Sequence, residues 1–283
     1  MGHDDHGDAR RHGPIRPAPD RGDATDARPA APAGGLGAGA RLLVSAALLL
    51  LACSACRERD ARRTPLRVFA AASLHAVFER LAADFEREHP DVDVELVFAG
   101  SSQLALQLRE GASADVFASA DLPNLQKIVE AGLAVGAPRE FARNRLAILV
   151  GKGNPHAVRT LADLARPELR VALCGPEVPA GRYAREALAK AGVSVRSRSD
   201  ETNVKALTSK VRLGELDAGI AYRTDAAADL DAIPLAAEHD VVASYPVAVL
   251  GSGKSRTLAQ LFVDHLLSAA GRATLEAAGF EAP

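Results

Sequence analysis

Leu66-Arg67-Val68-Phe69-Ala70-Ala71-Ala72-Ser73-Leu74-His75-Ala76-Val77-Phe78 is the stretch that decides how this chain folds. Its first seven residues are apolar except for Arg67, and they read as a strand buried on both faces. From Leu74 onward, apolar residues fall at Leu74, Val77, Phe78, Leu81, Ala82 and Phe85. That is the spacing of one helical face, so a helix is expected to about His89. The strand hands over to the helix at Ser73. A small polar residue there acts as an N-cap and leaves backbone N–H groups pointing outward. The pattern returns at Gly100-Ser101-Ser102, after a strand from Val92 to Ala99. One such junction is ordinary secondary structure, and both serines can be read as simple caps. Several junctions converging on one cleft build an anion receptor from helix N-termini.

Outward from this stretch, strand and helix patterns alternate. Strands are expected at 66–72, 92–99, 115–118, 145–150, 170–174, 218–222 and 244–250. Helices are expected at 74–89, 102–110, 122–131, 160–165, 180–191, 202–213, 255–268 and 271–278. Alternation with continuous apolar strands predicts an α/β fold with mostly parallel sheets. Ligands of such sheets bind at the carboxyl ends of the strands, where Ser73 and Ser101 fall. Two strong apolar strands, Leu146–Val150 and Tyr245–Leu250, bracket the middle third. They predict two lobes, 66–142 with 244–283 as the first and 143–243 as the second, joined by a hinge.

Composition narrows the function. The 283 residues are 48% apolar, enough for a sizeable core, and carry a formal net charge of -2, which gives no electrostatic footprint for nucleic acid. There is no tryptophan, and 4% of residues are aromatic, so stacking platforms for bases or sugars are not expected.

The N-terminal region reads as separate from the fold. Residues 1–40 are rich in Gly, Pro, Ala, Asp, Arg and His without apolar periodicity, and are expected to be disordered. His3, His6 and His12 belong to that polar tail. Arg41 precedes an apolar run, Leu42 to Ala52, which as a helix spans about 16 Å against a bilayer core of about 30 Å. A basic flank, a short apolar run and small residues at its end describe a secretion signal at 41–53. Leu50-Leu51-Ala52-Cys53 resembles the bacterial lipobox. The resemblance implies that Cys53 becomes a lipid-bearing mature N-terminus, with 54–65 as a tether; the alternative is an uncleaved anchor. Cys56 and Cys174 are left, and their pairing is open. With Cys53 assigned to the lipid, Cys56 and Cys174 form no Cys-x-x-Cys pair that points to zinc.

Four further segments bear on binding. Gly175-Pro176-Glu177-Val178-Pro179-Ala180-Gly181 opens a helix after a strand, with Pro179 near its first turn. Glu201-Thr202-Asn203-Val204-Lys205 opens the next, with Thr202 and Asn203 as cap candidates. Ala218 to Tyr222 is a strand ending in tyrosine, and Asp115 to Ser119 a strand ending in serine, followed by Asp121. With these on the page, Phe69-Ala70-Ala71-Ala72-Ser73-Leu74, Phe98-Ala99-Gly100-Ser101-Ser102, Ala114-Asp115-Val116-Phe117, Val178-Pro179-Ala180-Gly181 and Tyr245-Pro246-Val247-Ala248 together resemble the molybdate-binding proteins of ABC transporters. The resemblance runs in order from about Leu66 to Phe280. It implies the two-lobed type II periplasmic-binding-protein fold, closing on an oxyanion. It assigns the ligand contacts to Ser73, Ser101, Ala180, Val204 and Tyr222. The serines and the tyrosine would donate hydroxyls, and Ala180 and Val204 backbone N–H groups. It further implies molybdate or tungstate as cargo, an ABC permease as partner, a monomer, an extracytoplasmic location and no cofactor.

The chemistry of that set is coherent. Molybdate is a fully deprotonated dianion, so each contact to it must be a donor. Charged hydrogen bonds contribute about 1.5–3 kcal/mol each, and helix N-termini about 0.3–1 kcal/mol, up to about 2 when partly buried. Phosphate keeps a proton near neutrality and needs an acceptor, and none of the five residues is an acid. Sulfate shares the charge and shape of molybdate but is smaller, so pocket size must separate them. Arg182 and Lys205 lie near the site and are read as solvated charges; Asp225 and Glu201 are candidates for orienting donors.

Rival readings are a same-fold receptor for sulfate or a small organic anion, an envelope serine hydrolase using Ser73, and a sensor that reuses the fold. The hydrolase lacks a Gly-x-Ser-x-Gly elbow, and His75 lies two residues from Ser73, on another helix face. Gly251-Ser252-Gly253-Lys254-Ser255 suggests a nucleotide loop, but Ala248 stands where the Walker pattern needs glycine.

Overall fold

The first strand, β1 (Thr64–Ala71), starts two residues earlier than expected, so Thr64 and Pro65 belong to the sheet rather than to a tether. The computed structural model describes residues 63–226 and 228–283. The expectations for 1–40, for 41–53 with its lipid-bearing Cys53, and for most of 54–65 with Cys56 lie outside the described residues. Cys174 is buried, with no disulfide partner among the described residues, and burial pushes its thiol pKa up.

Helix α1 (His75–Glu88) follows β1, then β2 (Val92–Ala99), α2 (Ser101–Arg109), β3 (Val116–Ala118) and α3 (Leu122–Glu130). β2 and β3 flank β1, both parallel to it. Side chains of β1 alternate between two apolar clusters. Leu66, Val68 and Ala70 meet Val77, Phe78, Leu81 and Phe85 of α1. Phe69 meets Leu104 and Leu108 of α2 and Leu125 and Ile128 of α3 on the opposite face. Burial on both faces is why the run is continuously apolar, and each Leu or Phe so buried contributes about 1.5–3 kcal/mol.

The chain continues through β4 (Ala134–Gly151), β5 (Val171–Cys174), α4 (Pro179–Lys190), β6 (Asp200–Glu201), α5 (Val204–Arg212), β7 (Ala218–Tyr222), β8 (Leu230–Pro234), β9 (Val242–Leu250), α6 (Arg256–Leu267) and α7 (Ala269–Ala277). The strands join in the order β2-β1-β3-β9-β4-β7-β5-β6, with β8 also on β4. Parallel ladders hold the flanks, β2-β1-β3 and β7-β5-β6. Between them β9 and β4 run antiparallel to each other and to their neighbours. The sheet is therefore mixed, with its antiparallel part where these two strands carry the chain from one flank to the other.

Two expectations change here. β4 begins at Ala134, not at 145. Gly136, Pro138, Arg139, Glu140 and Arg143 disguise its first half as a loop, and its register against β9 shifts between Val135 and Arg139 and again between Glu140 and Ala142. Such irregularities are where a proline can enter a strand. The segment at 160–165 is a 3₁₀ turn, Leu161–Ala165, rather than an α-helix. β6 and β8 were not anticipated, one being two residues long and the other carrying Asp231 on its exposed side.

The Gly251–Ser255 loop is a structural turn. Asp115 accepts from the N–H groups of Arg67 (2.7 Å) and Ser255 (3.2 Å). A Cβ on Gly253 would lie 2.2 Å from Asp115 Oδ1, so glycine is required for the loop to pass that carboxylate.

Register fixes the site. Ala71 of β1 pairs with Ala99 of β2, and Ala70 with Ala118 of β3. Three carboxyl ends therefore finish level and deliver Ser73, Ser101 and Ala120 to one edge.

Candidate anion site

Ser73, Ser101, Ala180, Val204 and Tyr222 line one pocket of about 200 Å³, with Gly100, Ala120 and Asn203 beside them. All five predicted residues are buried.

The two serines sit there differently from the N-caps expected. Ala71 precedes the 3₁₀ turn Ala72–Leu74, and Ser73 lies in its middle without capping it. Gly100 is the N-cap of α2, and Ser101 is its first residue. Their hydroxyls make tertiary contacts instead. Ser101 Oγ accepts from the Ala120 N–H at 3.0 Å, and Ser73 Oγ lies 3.0 Å from the Tyr245 hydroxyl.

Opposite them, α4 and α5 bring their N-termini. Pro179 opens α4 and no side chain caps it, so the Ala180 N–H has no acceptor within the helix. Asn203 caps α5, as its position predicts, and accepts from the N–H groups of Lys205 (2.9 Å) and Ala206 (3.0 Å). That cap leaves the Val204 N–H for the pocket. Tyr222 ends β7, and its hydroxyl is buried without a hydrogen-bond partner among the described residues. Burial first, and then nearby Tyr245, hold its phenol pKa well above the ordinary value, so it keeps its proton. A protonated, idle, buried hydroxyl is what a pocket awaiting an acceptor should contain.

The cations near the pocket are paired with acids. Arg182 bonds Asp121, Lys205 lies 3.3 Å from Asp225, and Lys210 lies 2.7 Å from Glu201. Burial alone would lower the Arg182 pKa, but the adjoining Asp121 carboxylate leaves it raised. Arg182 and Lys205 are thus tied to carboxylates while their side chains stay 35% and 43% exposed. Glu201 and Asp225 act through other groups: Asp225 accepts from the Tyr222 N–H at 3.3 Å. Asp225 is completely buried, and desolvation outweighs Lys205 to push its carboxyl up to about 6.

The walls touch. A Cβ on Gly100 would lie 2.5 Å from the Thr202 carbonyl oxygen. Asp121 is buried among the Ser119 hydroxyl, the Asn124 N–H and the Asn124 amide, all on its own side, and reaches Arg182 on the other. Sequence reasoning gave no role to Tyr245, Ala120 or Asp121, although Asp121 and Tyr245 stand in segments it singled out. Asp121-Leu122-Pro123 was a legible signal, an N-cap followed by proline in the first turn. Nothing short-range marks Tyr245, whose partner lies 172 residues away. His75 pairs with Glu79 at 3.5 Å rather than with Ser73.

Comparison with known proteins now adds the family. The family model described as bacterial extracellular solute-binding protein matches residues 66–281. The chain belongs to that family. A relative from Mycobacterium tuberculosis H37Rv, named molybdate-binding protein ModA, is 39% identical over 252 residues, covering 85% of this chain and 97% of the relative. Among solved structures, the periplasmic molybdate-binding protein of Azotobacter vinelandii matches with a TM-score of 0.66 at 21% identity, over 77% of this chain and 99% of that one. The sulfate-binding protein SubI of Mycobacterium tuberculosis H37Rv matches with 0.69 at 17%, over 78% and 87%. These two likenesses carry the periplasmic-binding-protein fold alone, and ligand choice has to be argued from the pocket.

Proposed function

We propose that this solute-binding protein captures molybdate, and tungstate as its nearest chemical equivalent, and delivers it to an ABC permease. The observation that carries the reading is a small pocket whose inward polar groups are donors: the Ser73, Ser101 and Tyr222 hydroxyls and the Ala180 and Val204 amides. The 39% identity to a protein named molybdate-binding supports the choice of ion. A dianion fits such a set because it accepts at every oxygen and needs no buried counter-cation. Residues 66–142 with 244–283 form one lobe in this reading and 143–243 the other. A ligand that touches both favours the closed state by its differential affinity.

The chain binds and releases its cargo without chemical change. Ser73 is bonded to a tyrosine and lacks a base, which disfavours the hydrolase reading. No cofactor takes part, since the oxyanion is cargo. The protein works outside the cytoplasm as a monomer, held to the membrane by a lipid on Cys53. Sulfate is the second reading, because a pocket of donors suits any fully deprotonated dianion of that shape.

Thermal unfolding of the purified chain with molybdate, tungstate, sulfate and phosphate tests this. At a thousand times the dissociation constant a ligand adds about 4 kcal/mol, a shift of about 10 °C for a chain this size. Shifts with molybdate and tungstate alone are expected. An equal shift with sulfate would replace the specificity claim, and no shift with any oxyanion would overturn the reading.

A further inference from the structure

We propose that Tyr245 is a positioning residue that fixes Ser73 as a hydrogen-bond donor to the pocket, and so helps select fully deprotonated oxyanions over protonated ones. The inference rests on the oxyanion reading above and assigns part of its selectivity to a residue outside the pocket lining.

The two pocket serines make the case by comparison. Ser101 Oγ receives a hydrogen bond from the Ala120 N–H. A backbone amide only donates, so the polarity of that bond is fixed and the Ser101 proton is left for another acceptor. Ser73 has no amide in that position. It has the Tyr245 hydroxyl at 3.0 Å, a group that can donate or accept. Tyr245 is completely buried. Its ring is surrounded by the edges of Phe141, Tyr222 and Phe280, with centroids 6.2, 5.7 and 5.4 Å away. Burial, as the largest influence, holds its phenol well above the ordinary pKa, so it keeps a proton. The Asn144 amide, bonded through its oxygen to the Arg145 N–H and through its nitrogen to the Thr224 hydroxyl, and the Tyr222 hydroxyl are the other polar groups beside the Tyr245 phenol. Were Ser73 to donate to Tyr245, it would turn a lone pair to the bound dianion, which offers only acceptors of its own. Tyr245 therefore donates, Ser73 accepts, and the Ser73 proton turns to the pocket. Tyr245 does for Ser73 what the Ala120 amide does for Ser101.

The consequence is selectivity by proton count. With both serines locked as donors, a tetrahedral dianion accepts from each. A protonated oxyanion of similar shape, such as hydrogen arsenate, brings a donor that faces only donors. Without the Tyr245 hydroxyl, Ser73 is free to rotate and present a lone pair.

The test is titration calorimetry of the purified chain with molybdate and with arsenate, using wild type, Tyr245→Phe, Ser73→Ala and the double variant. Phe280→Leu is the control that disturbs the Tyr245 ring without touching its hydroxyl. Unfolding of the ligand-free variants verifies that each is folded. Tyr245→Phe should weaken molybdate by about tenfold and narrow the preference for molybdate over arsenate. Its effect should vanish in the Ser73→Ala background, because the hydroxyl acts only through Ser73. Phe280→Leu should leave the preference unchanged. Wild-type affinity and preference in Tyr245→Phe would overturn the inference. So would losses in Tyr245→Phe and Ser73→Ala that simply add, or a Phe280→Leu preference shifted as far as that of Tyr245→Phe. Each of those outcomes leaves molybdate binding by wild type intact, whereas a wild type blind to both anions removes the oxyanion reading itself.

Discussion

The two walls of the pocket are built to different degrees of completion. On the side of β1, β2 and β3, the polar groups already have protein partners. Ser101 accepts from Ala120, Ser73 is bonded to Tyr245, and Asp121 takes three donors from its own side before Arg182 is counted. On the side of α4, α5 and β7, groups are left over. The Tyr222 hydroxyl has no partner among the described residues, Ala180 and Val204 carry uncapped amides, and Asp225 is buried with compensation too weak to keep its carboxyl in the ordinary range. The difference teaches where a ligand acts. The first wall is arranged in advance, while the second holds the idle Tyr222 hydroxyl and the Ala180 and Val204 amides, donors that an oxyanion would satisfy.

The contrast can be broken most forcefully at the tie between the walls. Arg182→Met would leave the buried Asp121 carboxylate without its cation. Breaking a buried pair from one side costs about 3–5 kcal/mol, and a loss of about 3 kcal/mol is expected, because Arg182 is partly exposed and Asp121 keeps its other donors. Denaturant unfolding measures it; an unchanged midpoint would mean that the walls do not depend on this pair.

Asp225 gives the next effect, through pH. Its carboxyl is raised to about 6, from 3.8 when unperturbed. A folded-state pKa above the unfolded one means that the folded chain binds the proton more tightly. The contribution is therefore fully present below the unfolded value and is lost as pH rises through about 6. Asp225→Asn should remove a pH dependence of about 3 kcal/mol between those limits. Urea titrations of the ligand-free protein across that window would show it, and parallel wild-type and variant curves would refute it.

The third test turns on sign. Ser101→Ala removes the acceptor of a buried amide, so the ligand-free protein should lose about 1–2 kcal/mol. Tyr222→Phe removes a hydroxyl that no described group satisfies, so the ligand-free protein should gain up to about 1 kcal/mol. Both should weaken oxyanion binding. Equal effects on stability would erase the distinction between the walls.

Much of this was legible in the sequence, and the limits have physical causes. Apolar runs and helical spacing locate β1, β2 and the flanking helices, because burial on both faces leaves a continuous local signal. The motifs that carry the resemblance hold Ser73, Ser101 and Ala180, while Val204 and Tyr222 lie at a helix start and a strand end outside them; Ser73 and Ser101 converge because parallel strands end level. The first half of β4 was hidden, since its charged residues form ion pairs, Glu140 with Arg143 and Arg139 with Asp264, that only the folded chain brings together. Reading the serines as N-caps was reasonable locally and failed because their partners are tertiary. The Asp121–Arg182 tie, 61 residues apart, and the Ser73–Tyr245 bond leave no mark on either local stretch.

The central claim is that an oxyanion completes the second wall, held by donors drawn from both. A crystal of the protein grown with molybdate, measured at the molybdenum absorption edge, tests it most directly. The account predicts one strong anomalous peak within hydrogen-bond reach, through its oxygens, of the Ser73, Ser101 and Tyr222 hydroxyls and the Ala180 and Val204 amides. A peak elsewhere, or one held by arginine or lysine side chains, would contradict it.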